Sequence, residues 1–207
     1  MLIGLIGQIG AGKNTAANIF ADNGFTIDSF AKPLKDIVSH LFQWDRKLLE
    51  GDTVESRKWR ETRDDEWTKE LGFPVTPRCI LQLIGTELGR NIICDNFWIT
   101  LLCKRSENKN IVVSDVRYEN EYNAIKNKGG LIIRITRNNN VPEYYNKIKN
   151  MRNYSEIKKY MEGNYPKVHS SDYSSIHLKA DYDVDNDGNI DEFREKINYI
   201  ISTIYYV

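Results

Sequence analysis

A glycine-rich run near the amino end constrains this chain more than any other stretch of its sequence. It spans residues 7–15, reads Gly-Gln-Ile-Gly-Ala-Gly-Lys-Asn-Thr, and follows a short apolar run at residues 2–6. A segment with helical character follows at residues 15–22. Strand, glycine loop and helix in this order are the context of a phosphate-binding P-loop. The run therefore predicts a nucleoside triphosphate as the ligand and phosphoryl transfer as the reaction.

Each residue type in this loop has a chemical reason. Glycines carry no side chain, so successive backbone N–H groups can turn toward a polyphosphate. The helix N-terminus adds partial positive charge, and Lys13 supplies an ammonium group that can follow the transferred phosphoryl group. The residues predicted to bind the triphosphate are Gly7, Gly10, Ala11, Gly12, Lys13, Asn14 and Thr15.

The position after the lysine departs from the general P-loop pattern. Asn14 stands where a Ser or Thr hydroxyl usually binds Mg²⁺, and Thr15 follows it. Both residues are therefore candidate metal ligands. A glycine-rich turn without any ligand is the alternative interpretation. A dinucleotide-binding loop is excluded, because the glycines do not follow the Gly-x-Gly-x-x-Gly pattern.

Composition excludes several other classes of function. Lys and Arg total 29, as do Asp and Glu, so a formal net charge of zero argues against broad binding to nucleic acid. The three cysteines form no Cys-x-x-Cys pair, which favours a reducing compartment without a cysteine metal site. No signal peptide and no membrane span is indicated, so we expect a cytoplasmic protein. The sequence sets no oligomeric state, and a homodimer stays open.

Alternating apolar runs and helical patterns predict a parallel α/β sheet with helices on both faces. Residues 138–179 are long and polar, and we expect them to be irregular, as in a lid or a disordered loop. A helix is expected from Pro77, with apolar residues at helical spacing as far as Leu88. The predicted strands are residues 2–6, 25–28, 111–113, 131–135 and 181–185.

An acidic residue at the end of a predicted strand forms a second constellation. Asp115 follows a β-branched run at residues 111–113, and strand ends of this kind line the ligand crevice of α/β sheets. We therefore expect Asp115 to face the same cleft as Lys13, where it would hold Mg²⁺ or orient the acceptor. Alternatively, Asp115 caps the next helix and Arg117 pairs with Glu121 on its surface.

Four stretches of the sequence, and a weaker fifth, carry a specific resemblance. They are residues 12–15 (GKNT), 30–36 (FAKPLKD), 81–90 (LQLIGTELGR), 114–121 (SDVRYENE) and, more weakly, 169–172 (HSSD). Together they resemble the bacteriophage-type deoxynucleoside monophosphate kinases of the P-loop nucleoside monophosphate kinase superfamily. That family commonly reads Gly-Lys-Asp-Thr at the first stretch and often His-x-Ser-Glu at the fifth.

The resemblance implies an α/β, three-layer P-loop NTPase fold with a parallel five-stranded sheet. It implies one domain over residues 1–207, with a helical acceptor-binding excursion at about 31–105 and a lid at about 137–179. It also implies ATP and Mg²⁺ as cofactors and a deoxynucleoside monophosphate as substrate, without a nucleic-acid or membrane partner. If the chain is viral, it would act in the host cytoplasm.

The resemblance also implies a division of labour among side chains. The catalytic residues would be Lys13, Asp115, Arg117 and Arg137. The acceptor would contact Lys35, Gln82, Thr86, Arg90, Trp98, Arg117 and Glu121. Metal ligands would come from Asn14, Thr15 and Asp115, and the loop from Asn186 to Gly188 would pack on adenine. Structural roles are the alternatives to acceptor binding for three of these residues: Lys35 as a solvated lysine, Trp98 as a core residue and Arg90 as a cation at a helix end. The lid contact to the phosphoryl group could instead come from Lys147, Lys149 or Arg152.

The run at residues 183–188, Asp-Val-Asp-Asn-Asp-Gly, also resembles the start of an EF-hand loop. Arg194 stands where a bidentate Glu would be required, so a strand, an Asp-Gly turn and a helix are the preferred interpretation. A calcium-binding module is thus the weakest rival. Stronger rivals are a P-loop kinase for another small molecule, such as dephospho-coenzyme A or a phosphorylated alcohol, and a nucleotide-binding protein without catalysis.

Overall fold

A five-stranded, all-parallel sheet is the centre of the computed structural model, which describes residues 1–138, 141–151 and 153–205. Its strand order is β2-β3-β1-β4-β5. The strands are β1 Leu2–Ile6, β2 Thr26–Asp28, β3 Ile111–Val113, β4 Leu131–Thr136 and β5 Tyr182–Asp185. The predicted α/β fold with a parallel five-stranded sheet is confirmed.

Ten α-helices, within the described ranges, connect and surround the strands. They are α1 Lys13–Asp22, α2 Lys32–Phe42, α3 Val54–Glu61, α4 Asp65–Leu71, α5 Pro77–Gln82, α6 Phe97–Arg105, α7 Glu119–Asn127, α8 Glu143–Ile148, α9 Tyr154–Asn164 and α10 Ile190–Tyr205. A π-helix spans Leu83–Ile93, and short 3₁₀ turns lie at Leu48–Glu50 and Ser170–Asp172. Within the described ranges, no helix combines the length and apolar character needed to cross a bilayer.

The two faces of the sheet carry different helices. All five residues of β1 are buried, as expected for a strand covered on both sides. Ile3 and Leu5 belong to a core cluster that also contains residues of α1 and α10. Gly4 points to the opposite face, where an added Cβ would lie 2.8 Å from the side chain of Ile125 in α7. The sheet is therefore the middle layer of three.

The chain forms two compact units. One comprises residues 1–29 and 103–207 and contains the sheet, and the other comprises residues 30–102. The second unit has an aromatic cluster of its own, in which the ring of Trp44 stacks on Phe42 and meets Trp59 edge-on. The second unit thus contains tryptophan rings that are half-buried and in contact with one another.

An ion pair joins the two points at which the sheet-containing unit is interrupted. Asp28, the last residue of β2, is buried, and its carboxylate accepts two hydrogen bonds from Arg105, at 3.0 and 3.1 Å. Arg105, the last residue of α6, also donates to the carbonyl oxygen of Ser29 at 3.0 Å. The end of β2 and the end of α6 are therefore held side by side.

The helix that begins at Pro77 changes its geometry after six residues. It is an α-helix as far as Gln82 and a π-helix from Leu83 onward. Ile80 and Leu81 are buried, whereas Leu83 and Leu88 are 43% and 41% exposed. The predicted apolar face therefore breaks at the change from i→i+4 to i→i+5 hydrogen bonding, because that change alters which residues share a side of the helix.

The expectation that residues 138–179 are irregular is wrong for the part of that segment that the structure describes. Helices α8 and α9 form there, around a cluster of Ile148, Ile157, Met161 and Tyr173. The other side chains packed against this cluster include Tyr144, Tyr154, Tyr160 and Tyr165. The polar composition hides this core, because each tyrosine buries an aromatic ring while its hydroxyl counts as polar.

Candidate phosphate-binding site

The loop between β1 and α1 has a backbone that only glycine adopts readily. Gly7, Gly10 and Gly12 have φ angles of 141°, 80° and 106°. A Cβ on Gly7 would lie 2.1 Å from the carbonyl oxygen of Ile135 in β4. Helix α1 begins at Lys13, two residues before the sequence pattern suggests, because Gly12 takes the left-handed N-cap conformation. Gly12 has no side chain that could cap the first N–H groups of α1. These N–H groups are therefore suited to bind an anion at this end of the helix.

The ammonium group of Lys13 lies against this loop. Its Nζ donates to the carbonyl oxygens of Gly7 at 2.6 Å and Gln8 at 2.8 Å. The pKa of Lys13 is lowered to about 8, first by burial and then by the positive charge of Arg117, while Asp115 and Asp172 act in the opposite direction. Lys13 therefore shares its electrostatic surroundings with two acids and one arginine.

Side chains and carbonyls from neighbouring segments hold the loop in place. Asn186, just after β5, donates from Nδ2 to the carbonyl oxygen of Ala11 at 2.8 Å. The same amide occupies the space beside Gly12, so a Cβ on Gly12 would lie 2.3 Å from Asn186 Nδ2. Gln8 donates from Nε2 to the carbonyl oxygen of Arg137 at 2.8 Å. Asn186 thus contacts the loop backbone, while Gly188 lies exposed in the same turn.

The oxygen donors available here suit Mg²⁺. Asn14 is exposed, Thr15 is half-buried, and Asp115 lies two residues beyond the end of β3. In the described ranges, no group of three or more His, Cys, Asp or Glu side chains could hold a metal ion alone. Mg²⁺ commonly takes one or two protein oxygens and completes its shell with phosphate and water. The residues present therefore fit a magnesium ion that arrives with a polyphosphate, and they give no support to a calcium site at residues 183–188.

Glu121 and Arg117 are joined through the backbone and not through an ion pair between their side chains. The Glu121 carboxylate is buried and accepts the backbone N–H of Arg117 at 2.7 Å and that of Tyr118 at 3.1 Å. It thereby closes the first turn of α7. The guanidinium of Arg117 instead donates to Ser171 Oγ at 2.9 Å and lies 3.7 Å from Asp172 Oδ1. The weak motif at residues 169–172 thus contacts Arg117.

The second unit contains the other residues predicted to bind the acceptor. Lys35 in α2 has a side chain only 14% exposed and pairs with Glu50, which also accepts from Arg46. Burial opposes ionisation of Glu50, but the two cations outweigh it and lower the pKa of its carboxyl group. Lys35 is therefore part of a local charge network and not a solvated lysine.

Arg90 and Trp98 are both buried within the second unit. Arg90 Nη1 donates to the carbonyl oxygen of Asp95 at 3.2 Å and lies 3.4 Å from its carboxylate. Trp98 is 4% exposed, and its indole N–H donates to the carbonyl oxygen of Gly85 at 2.8 Å. Gln82 and Thr86 are half-buried at the start of the π-helix. Trp98 thus packs as a core residue of this unit.

The candidates for a lid contact differ in their surroundings. Arg137 is exposed directly after β4, where its carbonyl oxygen is bound by Gln8. Lys147 and Lys149 are exposed at the end of α8. Arg152 lies outside the described residues. Among these cations, Arg137 is attached to the glycine loop through its backbone.

Sequence reasoning overlooked three polar side chains that shape this site. Gln8 occupies a position of the glycine loop where the P-loop pattern accepts any residue, so no sequence signal could single it out. Ser171 lies in a motif that was recognised, but its contact with Arg117 spans 54 residues of chain. Ser174 donates to the carbonyl oxygen of Arg117 at 2.9 Å and lies outside the motif. Pairings of this kind depend on the tertiary fold.

Comparisons with known proteins agree with this geometry. A family model described as deoxynucleotide monophosphate kinase matches residues 51–149. A protein of Acanthamoeba polyphaga mimivirus named "Putative deoxynucleotide monophosphate kinase" is 38% identical over 152 residues, which cover 66% of this chain and 74% of the relative. The deoxynucleoside-5'-monophosphate kinase of Escherichia phage T5 is 27% identical over 176 residues, covering 58% and 70% respectively.

Solved structures of low sequence identity are also similar. Shikimate kinase from Aquifex aeolicus has a TM-score of 0.45 and 18% identity, with 100% of this chain and 99% of that chain covered. Dephospho-CoA kinase from Campylobacter jejuni has a TM-score of 0.46 and 17% identity, with 98% and 96% covered.

The parallel sheet and the glycine loop with its lysine define a P-loop phosphotransferase. Within that class, the chain belongs to the deoxynucleotide monophosphate kinase family. The resemblance seen in the sequence motifs is thereby confirmed.

Proposed function

We propose that this enzyme transfers the γ-phosphoryl group of ATP to a deoxynucleoside 5'-monophosphate. A phosphate oxygen of the acceptor forms the new bond to the γ-phosphorus, and the bond from that phosphorus to the β-phosphate oxygen breaks. The products are ADP and a deoxynucleoside diphosphate. The observation that carries the proposal is the Lys13 ammonium, held by the Gly7 and Gln8 carbonyls over a loop of left-handed glycines.

The chain's own residues would act by position and charge. The acceptor oxygen is already anionic, so no strong general base is needed. Lys13 and the first N–H groups of α1 would neutralise charge on the phosphoryl group, and Arg117 would bind the acceptor phosphate. Arg137, after β4, would reach the phosphoryl group from a lid at about residues 137–179. Closure of that lid would exclude water from the reaction.

Thr15, Asn14 and Asp115 are the side chains that would hold Mg²⁺, which would supply positive charge against the phosphates. Asn186 supports the loop beneath the phosphates through Ala11, and the turn to Gly188 would lie near adenine. Residues 30–102 would form the acceptor-binding part of a single kinase domain.

Several residues of the second unit would recognise the acceptor. Gln82 and Thr86 would contact its base or sugar. Arg90 and Lys35 would add positive charge near its phosphate, although each already has an acidic neighbour, Asp95 and Glu50 respectively. Trp98 would support this surface from beneath, since it is buried.

A homodimer is a further proposal, and a measurement of the molar mass in solution tests it.

The experiment is a coupled ADP-release assay with all common deoxy- and ribonucleoside monophosphates as acceptors. Dephospho-coenzyme A and a phosphorylated alcohol serve as further acceptors in the same panel. The wild-type enzyme is expected to turn over at least one deoxynucleoside monophosphate. Lys13→Ala is expected to lower kcat by about 10²–10³-fold, the usual effect of removing one charge-stabilising group.

The matched control is Lys128→Ala, which removes an exposed lysine just after α7. It is expected to leave kcat unchanged. Near-normal turnover by Lys13→Ala would contradict the proposal. Preference for dephospho-coenzyme A would assign another small-molecule kinase, and tight ATP binding without turnover of any acceptor would assign a non-catalytic binding protein.

A further inference from the structure

The short turn at residues 169–174 contacts Arg117 at both its side chain and its backbone. Arg117 Nη1 donates to Ser171 Oγ at 2.9 Å, and Asp172 Oδ1 lies 3.7 Å from the same nitrogen. Ser174 Oγ donates to the Arg117 carbonyl oxygen at 2.9 Å. We call Ser171, Asp172 and Ser174 the arginine clamp.

The hydroxyl oxygen of Ser171 has two side-chain neighbours, His169 and Arg117. His169 Nδ1 accepts the backbone N–H of Ser171 at 3.3 Å, so this ring nitrogen is an acceptor. It also lies 3.0 Å from Ser171 Oγ. Ser171 Oγ is therefore held between His169 Nδ1 and the Arg117 guanidinium, from which it accepts a hydrogen bond.

The charge of Asp172 completes the arrangement. Its carboxylate is 9% exposed and acts on both Arg117 and Lys13, since its negative charge is among those that raise the pKa of Lys13. Arg117 lowers the same pKa, which means that the two cations repel each other. An acid placed beside both of them offsets this repulsion and allows a second cation to stay near the glycine loop.

We propose that Asp172 and Ser171 are positioning residues that hold the Arg117 guanidinium ready for the acceptor phosphate. This inference rests on the proposed function, in which Arg117 binds that phosphate. Because the clamp lies between α9 and β5, it also connects Arg117 to the tyrosine-rich segment that contains α8 and α9. Without the clamp, the exposed guanidinium would sample many orientations, and each encounter with the acceptor would have to order it.

The test is steady-state kinetics combined with calorimetric binding of the preferred deoxynucleoside monophosphate. Asp172→Asn, which removes an ion pair, and Ser171→Ala, which removes a hydrogen bond to a charged group, are each expected to raise KM and Kd for the monophosphate about tenfold. In Ser171→Ala the KM for ATP is expected to stay within about twofold, because the Ser171 hydroxyl contacts the Arg117 guanidinium. Asp172→Glu is expected to restore most of the monophosphate affinity, and Ser175→Ala is the matched serine control.

A double-mutant cycle separates positioning from a structural role. In the Arg117→Ala background, Asp172→Asn is expected to change the monophosphate Kd by less than about twofold, because its partner is already absent. An equal loss in both backgrounds, or a parallel rise in KM for both substrates, would overturn the clamp. Unchanged Kd in Asp172→Asn and Ser171→Ala would overturn it as well.

The same measurements distinguish this inference from the function on which it rests. If the wild-type enzyme binds a monophosphate through Arg117 and Asp172 but turns over none, the proposed function fails and the clamp stands. If turnover is normal and the Asp172 and Ser171 variants match the wild type, only the clamp fails. If the wild type binds no monophosphate at all, both fail.

Discussion

Replacing Gly7 by alanine is expected to destabilise the protein by about 3 kcal/mol or more. The added Cβ would lie 2.1 Å from the Ile135 carbonyl oxygen, and Cβ contacts essentially never fall below 3.0 Å. Ile135 is fully buried in β4 and paired with Val184 of β5, so the strand cannot move aside freely. A φ of 141° adds strain of about 1–3 kcal/mol for any residue with a side chain. The midpoint of thermal unfolding should fall by roughly 6–12 °C.

Gly10→Ala is the matched control for this measurement. Gly10 also has a left-handed φ of 80°, but in the described structure no atom lies within 4 Å of the position of its missing Cβ. Its substitution should therefore cost only the backbone penalty of about 1–2 kcal/mol. Urea denaturation monitored by tryptophan fluorescence gives both free energies of unfolding. If the two variants have the same stability, the steric argument for Gly7 is refuted.

Two further predictions concern Lys13 and Trp98. The pKa of Lys13 is about 8 in the folded protein against 10.5 for an ordinary lysine, so between those pH values the unfolded chain binds a proton that the folded chain does not. Wild-type protein should therefore gain stability relative to Lys13→Met as the pH rises from 8 to 10.5, and parallel melting curves would contradict this. Trp98→Phe leaves the buried carbonyl oxygen of Gly85 without its indole donor. It should cost about 1–3 kcal/mol in urea denaturation, and a loss below about 0.5 kcal/mol would count against that hydrogen bond.

The features that sequence reasoning anticipated are local in the chain. The loop from Gly7 to Lys13 combines residue types whose backbone preferences and charge belong together within a few positions. Strand β1 is a continuous apolar run and β4 begins with one, as expected for parallel strands that are covered on both faces. Features of this kind can be predicted from the sequence because they depend only on residues that are close together in the chain.

The features that sequence reasoning missed depend on contacts between distant segments or on side chains that are partly apolar and partly polar. Arg117 lies near Glu121 in sequence, yet its guanidinium binds Ser171, while the carboxylate caps the intervening backbone. The segment with α8 and α9 reads as polar because tyrosine is half apolar. The start of the π-helix at Leu83 has no sequence marker, since it reflects one extra residue per hydrogen-bonded ring.

The bond between Arg105 and Asp28 has a consequence for how this enzyme could diversify. The polypeptide leaves the sheet-containing unit after Ser29 and returns to it before Arg105. The Arg105 guanidinium holds these two points together through its hydrogen bonds to Asp28 and Ser29. When the two ends of a chain segment are held together, a longer segment between them adds little to the entropic cost of closing it. Changes in the length of residues 30–102 are therefore expected to cost the sheet-containing unit little stability. If residues 30–102 recognise the acceptor, as proposed above, related enzymes could differ in acceptor preference while they keep the same glycine loop.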